Sequence, residues 1–561
     1  MSLNGHSVYC VDPKVGPTDQ SRAIGVTSRT MEILEKSGLA GEFLEDGFVS
    51  SGFRMYNKGT LVGQMDSIGD TPYAFMTVVM QSRTEYILNK HLEEETEYPV
   101  HWETELISYT QNDDKVTSTV LDKRTGLEHT IESKYIIGAD GSHSRVRKEN
   151  SAFTYDGVAI DTKFFLADLN VKGEGFENRL DKGNMFMTPL GFMGMVPFQS
   201  CLDGNKPAFR IFGNLEAYSV KEKGSRPTHG LIKTEEAPSL EFIQSFVDEA
   251  AAPFKFELSN LIWSSYFKIN ERIVNTYRHK RAFLMGDAAH CHSPAGGQGM
   301  NLGLQDADNL AWKLSIVLKG HAIRPDELLD SYESERKPQA EETLRSTGNA
   351  TKGGISSGYF ASALRNIFMS TALYVPRIRE FLFKTTMQQL VTIDSTHSKI
   401  LGISDKGLIQ AGHFLPNTGT IRLRTLEKRT AQLKRLNLRE IMIGLNKFSI
   451  ILIGTSPSGT NPNSQLIEAF WNLARLYPVK RIVIESSWHT HFNRYPDFVL
   501  EEEKQDGSFY AEENMDSPVS VTKSVGLSYL FPKYTNGPTP SVLLFVRPDF
   551  YVAQSKVVYC Q

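Results

Sequence analysis

"GDAAHCHSPAGGQGMNLGLQDADNLAWKL", residues 286–314, sets a Gly-Asp pair, a proline and three closely spaced glycines directly before an amphipathic helix. A helix start needs one capping residue and at most one turn glycine, and each glycine held rigid costs backbone entropy. The excess points to something bound. Upstream, the apolar run Ala282 to Met285 predicts a strand that ends at Gly286-Asp287. The carboxyl end of a buried strand is where α/β folds hold nucleotide sugar hydroxyls on an acidic side chain, and capping of the next turn is the other role open to Asp287. Downstream, Ser293-Pro294-Ala295-Gly296-Gly297-Gln298-Gly299 leads into a helix. Its apolar positions Leu310, Ala311, Leu314, Val317 and Leu318 recur at helical spacing, and Gly320 is its stop.

Glycines before a helix N-terminus let backbone N–H groups approach a ligand, and the helix dipole favours negative charge there. A flavin fits, because its reduced ring is anionic around N1 and the adjacent carbonyl. A tight loop without a ligand accounts for one or two glycines and not for the whole arrangement.

The 561-residue chain is too long for one core, which predicts about three or four domains. Hydrophobic content of 40% and charged content of 22% are those of an ordinary soluble globular protein. The formal charge of −4 gives no electrostatic footprint for nucleic acid or an anionic membrane. Cys10, Cys201, Cys291 and Cys560 are scattered, with no CxxC and no metal-ligand spacing. They read as reduced thiols of a cytoplasmic protein without a metal site. No apolar run approaches the length of a membrane helix, and no signal-peptide core stands near the start.

Val8 to Val11 predict a short strand ended by Asp12-Pro13, and Gly16-Pro17-Thr18-Asp19 a turn. Ile24, Thr27, Met31, Ile33, Leu34 and Leu39 follow at roughly helical spacing, with Gly38 as a stop. In "KYIIGADGSHSRVRK" a strand through Tyr135, Ile136 and Ile137 runs into a Gly-Ala-Asp-Gly turn. Residues 151–275 look β-rich, and 276–400 mostly helical. From about 401 the runs "KFSIILIGTS", "NSQLIEAFWNLARLYP", "VKRIVIESS" and "SVLLFVRPDFYVAQ" predict a separate α/β unit with a final hairpin. "EEEKQDGS", residues 501–508, reads as a solvated loop.

The 286–314 stretch resembles the second FAD-binding motif of the single-component flavin-dependent aromatic hydroxylases, the family of para-hydroxybenzoate hydroxylase and phenol 2-monooxygenase. "IIGADGSHSRVRK" resembles that family's middle motif, and "DQSRAIGVTSRTMEIL" and "QSRTEYILNKHL" are similar to further family segments. The likeness covers nearly the whole chain. It implies an α/β fold: a Rossmann-like FAD-binding domain (1–150, closed by 276–400) interleaved with a β-rich substrate domain (151–275), and a thioredoxin-like C-terminal domain (401–561). That last domain has no CxxC, so an assembly role is expected of it rather than redox exchange.

By the same resemblance Asp12 takes the adenosine ribose of FAD, Arg29 lies near its pyrophosphate and Gln81 near the flavin. Asp140-Gly141 serves both FAD and the nicotinamide donor, NADPH or NADH. Asp287 holds a ribityl or ribose hydroxyl, and Pro294, Gly296, Gly297, Gly299, Met300 and Asn301 meet the isoalloxazine. His290 and His292 are expected to be mainly structural. No catalytic base is identified in the substrate segment.

The activity implied is hydroxylation of a phenolic or polyketide-type aromatic by molecular oxygen through a flavin C4a-hydroperoxide, in a protein that forms a homodimer. Dearomatisation and Baeyer-Villiger insertion are related alternatives. The family pattern also has a strand and a GxGxxG loop ahead of the residue matched by Asp12, and the eleven residues before it hold only Gly5. The chain as written is therefore expected to begin inside that fold and to hold FAD weakly, and an inactive truncated relic is the remaining alternative.

Overall fold

The structure, a computed structural model, describes residues 1–18, 23–173, 179–189, 191–199, 207–216, 230–231, 236–293, 297–354, 367, 371–417, 421–423, 435–443, 447–454, 479–485, 509–512, 520–525 and 539–560. Pro294 and Gly296, the amphipathic run 463–478 and the polar loop 501–508 lie outside them.

Two short parallel ladders organise the first part of the chain. Cys10–Val11 pairs with Val100–His101, and Ile136–Gly138 pairs with Ala282–Leu284 in the register Ile136↔Ala282, Gly138↔Leu284. The two ladders share no strand among the described residues. Ala282, Phe283 and Leu284 are fully buried, as a strand covered on both faces requires. They pack against Leu302, Leu310 and Leu314 on one side of helix Gly299–Leu318. That helix stops before Gly320, whose φ of +72° an L side chain rarely adopts. Further back, Gly25–Val26 forms a strand against Met76–Val78, and the helix it leads into spans Ser28–Lys36.

The β-rich middle is built on two 19-residue strands, Tyr155–Gly173 and Phe256–Val274, paired antiparallel. Gly183–Met187, Phe192–Gln199 and Pro207–Asn214 extend this sheet, and Gly52–Asn57 with Thr60–Asp66 join its edge from the first part of the chain. Alternation sends Phe165, Ala167, Leu169 and Val171 onto helix Leu240–Ala250, where Ile243 and Val247 are buried. The opposite face carries Phe164, Leu166 and Asp168. On that face Val196, Phe198 and Ala208 pack on Met76, Val78, Met80 and on Phe383 of helix Pro376–Thr386. This side of the sheet therefore looks onto the Met76–Val78 strand and the helix Pro376–Thr386.

The last part is a seven-stranded mixed sheet. Among the described residues Val479–Glu485 is its middle strand, and Phe448–Gly454 lies next to it, parallel to it and antiparallel to Thr539–Val546. Its unbroken apolar run follows from burial of both faces, with Ile451, Ile453, Ile482, Ile484, Val542 and Leu544 in one core. Thr539–Val546 returns through a tight turn at 547–551 into Val552–Cys560. Among the described residues no helix is long and apolar enough to cross a membrane.

Candidate functional site

Ile136–Gly138 and Ala282–Leu284 run parallel and turn at the same edge, so their acidic turns, Asp140-Gly141 and Gly286-Asp287, stand side by side. Arg147 binds them together. Its Nη1 donates to the carbonyl of Ala288 at 2.7 Å and its Nη2 to that of Ser142 at 2.6 Å. Asp140 Oδ2 accepts the N–H groups of Arg145 and Val146, which fixes the turn on helix Arg145–Lys148. Gly141 takes φ +77° with open space where a Cβ would project. Asp287 is exposed, and its carboxylate accepts no hydrogen bond from the described residues. Two acidic turns at strand carboxyl ends, one carboxylate unclaimed, suit the hydroxyls of a nucleotide or ribityl chain.

The helix that follows is locked against this edge by buried charge. Asp306 Oδ2 accepts the Gly286 N–H at 3.1 Å and faces His290 Nε2 at 2.7 Å, while its Oδ1 accepts from Arg336 Nε at 2.8 Å. Burial alone would raise the Asp306 carboxyl; Arg336 and His290 outweigh it and hold it below the usual carboxylate range. His290 is thus a structural link, 1% exposed. Gly303 and Gly286 approach so closely that a Cβ at 303 would lie 3.3 Å from the Gly286 Cα.

At the helix start Gln298 caps nothing with its side chain, and no acidic residue stands in the first turn. N–H groups at a helix start favour an anionic partner, which is the chemistry a flavin's N1–carbonyl edge offers. Gly297 has φ +64° and open space at its missing Cβ. Gly299 lies beside His292, and Met300 packs with Val26, Met31, Val79 and Ile87. Asn301 is fully buried: Oδ1 accepts from Thr27 N at 3.0 Å and Thr27 Oγ1 at 3.2 Å, and Nδ2 donates to Gly25 O at 2.8 Å and Gly297 O at 2.9 Å. Its side chain braces the loop to the Gly25–Val26 strand rather than reaching outward.

Asp12 stands at the end of its strand, ion-paired with Lys14, which also reaches Glu85. Gln81 opens helix Gln81–Glu95 and donates to the same Glu85. Arg29 is engaged by partners within the chain. Its guanidinium is buried 3.3 Å from the Phe414 ring centroid, donates to Glu32 and to the carbonyl of Gln389, and faces the last part of the chain. Sequence reasoning offered no signal for that placement, because Phe414 and Gln389 are more than 350 residues away. Arg147, inside "SRVRK", joins the two turns through contacts that no local pattern records.

Beside the Asp140-Gly141 turn lies a cavity of about 610 Å³, lined by Ser142, His143, Arg147, Lys148, Tyr155 and Arg272 among others. Arg272 Nε is buried and has no acceptor among the described residues. Burial and the neighbouring Lys148 and Arg147 charges lower the His143 pKa, so the positive field comes from Arg147, Lys148 and Arg272. At its floor the Tyr155 hydroxyl meets Cys291 Sγ at 2.6 Å. Burial and the Asp287 charge push the Cys291 thiol up to about 12, so it stays protonated and unreactive. A cationic cavity of this size suits a phosphorylated ligand.

The FAD binding domain family model matches residues 1–347, and the chain belongs to that family. Residues of the chain are 32% identical over 329 positions to pentachlorophenol 4-monooxygenase of Sphingobium chlorophenolicum, covering 58% of this chain and 56% of that protein. They are also 32% identical over 347 positions to 6-methylpretetramide 4-monooxygenase of Streptomyces rimosus, covering 61% and 57%. The matched stretch thus spans little more than half the length of these relatives. In fold, the chain is similar to CabE, an aromatic hydroxylase from angucycline biosynthesis, with a TM-score of 0.66 at 21% identity over 99% of this chain and 92% of that one. It is also similar to the flavin-dependent monooxygenase PieE, solved with FAD and substrate, with a TM-score of 0.64 at 18% identity over 99% and 92%. The architecture is the mixed α/β fold of FAD-dependent aromatic hydroxylases.

Proposed function

We propose that this chain is an FAD-dependent monooxygenase that consumes NADPH or NADH and molecular oxygen to hydroxylate a phenolic or polyketide-type aromatic. One observation carries the reading: two parallel strands deliver Asp140-Gly141 and Asp287 to one edge, next to a 20-residue helix whose N-terminus has no side-chain cap. Asp287 takes a ribityl or ribose hydroxyl, and Asp12 the adenosine ribose. Gln81, Pro294, Gly296, Gly297 and the N–H groups of Gly299, Met300 and Asn301 meet the ring, where the helix dipole stabilises its negative edge. The nicotinamide donor's phosphates fit the cationic cavity of Arg147, Lys148 and Arg272.

FAD, when bound, would supply the redox chemistry that lets two electrons of the nicotinamide reduce molecular oxygen, one oxygen atom entering the ring and the other leaving as water. The chain's residues position both partners and exclude water. The sheet face carrying Phe164, Leu166, Phe192 and Phe267 is apolar and aromatic, as a flat hydrophobic substrate requires. The names of the two relatives, a pentachlorophenol and a 6-methylpretetramide 4-monooxygenase, support that substrate class. The C-terminal sheet reads as a thioredoxin-like domain without CxxC, in a cytoplasmic homodimer.

The test is NADPH oxidation by the full chain with added FAD, across a panel of phenols and polycyclic aromatics. Substrate-stimulated oxidation with a hydroxylated product supports the reading. Flavin binding with no stimulation by any aromatic sinks it.

A further inference from the structure

The buried polar residues of helix Gly299–Leu318 include Asp306, Asn309 and Lys313. Asp306 is answered by Arg336, within the site already described. Asn309 and Lys313 are answered elsewhere. Both donate to Glu335 Oε2, at 2.9 and 2.8 Å, and Glu335 belongs to helix Pro325–Gly354. Glu335 in turn receives Arg547 Nη1 on Oε1 at 2.8 Å and Arg547 Nη2 on Oε2 at 2.9 Å, a bidentate fork. Arg547 also pairs with Asp549, whose Oδ2 accepts from Trp312 Nε1 at 3.0 Å.

Lys313, Glu335, Arg547 and Asp549 thus form a charge-balanced set, each no more than 3% exposed. The neighbouring Lys36 pairs with Asp308 and donates to the carbonyl of Pro548 at 3.4 Å. The residues at 547–549 come from the turn between the last two strands of the C-terminal sheet. That turn inserts its charges into the helix whose first turn is Gly299-Met300-Asn301.

We infer that the Arg547–Asp549 turn is a positioning device for the flavin site: it fixes the rotation of helix Gly299–Leu318 and so the direction of the N–H groups at its start. Trp312 is 11 residues from Asn301, about 17 Å along a stiff helix. A helix anchored on one face at Asn309, Trp312 and Lys313 cannot turn about its axis without breaking buried charged hydrogen bonds. The C-terminal sheet has its own apolar core, yet through this turn it holds the helix that begins at the proposed cofactor site. The inference rests on the reading that this helix start holds FAD.

The experiment compares the full chain with Arg547→Lys, Arg547→Met and the charge-balanced pair Arg547→Met/Glu335→Gln. The last keeps the test decisive where Arg547→Met alone does not fold. Two readouts are taken: FAD titration by quenching of free FAD fluorescence, and amide hydrogen exchange of the FAD-free chain. Positioning predicts that loss of Arg547 raises the FAD Kd by about tenfold or more. It also predicts faster exchange in residues 297–305, unchanged exchange in Phe448–Gly454, and partial rescue by Arg547→Lys. Exchange at 297–305 equal to the parent in both Met variants overturns the inference. If the parent chain does not bind FAD, the cofactor reading fails, while the exchange comparison still decides whether Arg547 holds the helix.

Discussion

Replacing Asn301 with alanine separates a brace from a ligand contact. The side chain makes four hydrogen bonds, all to Gly25, Thr27 and Gly297, and is fully buried. Truncation leaves the Thr27 N–H and the Gly25 carbonyl to find new partners in a site with little room for water. Each lost bond costs about 1 kcal/mol net, and more where the partner stays buried and unpaired, so Asn301→Ala should destabilise the FAD-free chain by about 2–4 kcal/mol. Asn301→Asp should cost as much at neutral pH, because a carboxylate oxygen would face the Gly25 and Gly297 carbonyls where an NH2 now donates. Protonation restores a donor there, so the aspartate variant should gain stability relative to the parent as the pH falls. The assay is thermal unfolding of the FAD-free proteins, followed by hydrogen exchange at Gly25–Val26 to place the loss. Parent-like melting in Asn301→Ala, with only FAD affinity reduced, would refute the reasoning, since the amide would then serve the ligand.

Asp287→Ala should leave the FAD-free chain as stable as the parent, because the carboxylate is exposed, and should weaken FAD binding by the about 1.5–3 kcal/mol of a charged hydrogen bond; fluorescence titration and melting measure the two. Gly303→Val would force branched methyls against the Gly286 backbone, which already lies 3.3 Å from a single Cβ, at a cost of about 1–3 kcal/mol read from melting, whereas Gly38→Ala meets nothing and tests only its φ of +78°. Glu335 and Asp306 are both held below their ordinary values of 4.5 and 3.8: burial opposes this, and Arg547 and Lys313 for the first, Arg336 and His290 for the second, outweigh it. Depressed carboxyls stabilise the fold fully above their unfolded values and lose that contribution as protons bind. Melting temperature should therefore hold down to about pH 5 and fall below about pH 4.5, and Glu335→Gln should flatten the fall.

Motifs close in sequence were legible where their spacing is set by backbone geometry. The helix after Gly299 and its stop at Gly320, the strand into Gly286-Asp287 and the turn at Asp140-Gly141 all follow from local apolar periodicity and glycine placement. The helix expected from Ile24 onward is narrower. Gly25–Val26 is instead a strand because Met76–Val78 offers it a partner, which no local pattern records. Long-range pairing was equally silent. Arg29 meets Phe414, Asn301 meets Gly25, and Glu335 meets Arg547, each across more than 200 residues. Buried arginines and glutamates look like surface residues in a sequence, and only the fold shows which ones neutralise each other.

In the proposed function Asp140-Gly141, Asp287 and the loop into Gly299 form one FAD site. Titrating purified residues 1–561 with FAD, beside Asp287→Ala, tests it most directly. A single shared site predicts saturable binding of one FAD per chain, with a perturbed visible absorption band, weakened about tenfold or more in the variant. A chain that leaves the flavin spectrum unchanged at saturating FAD, or a variant that binds as tightly as the parent, would contradict it.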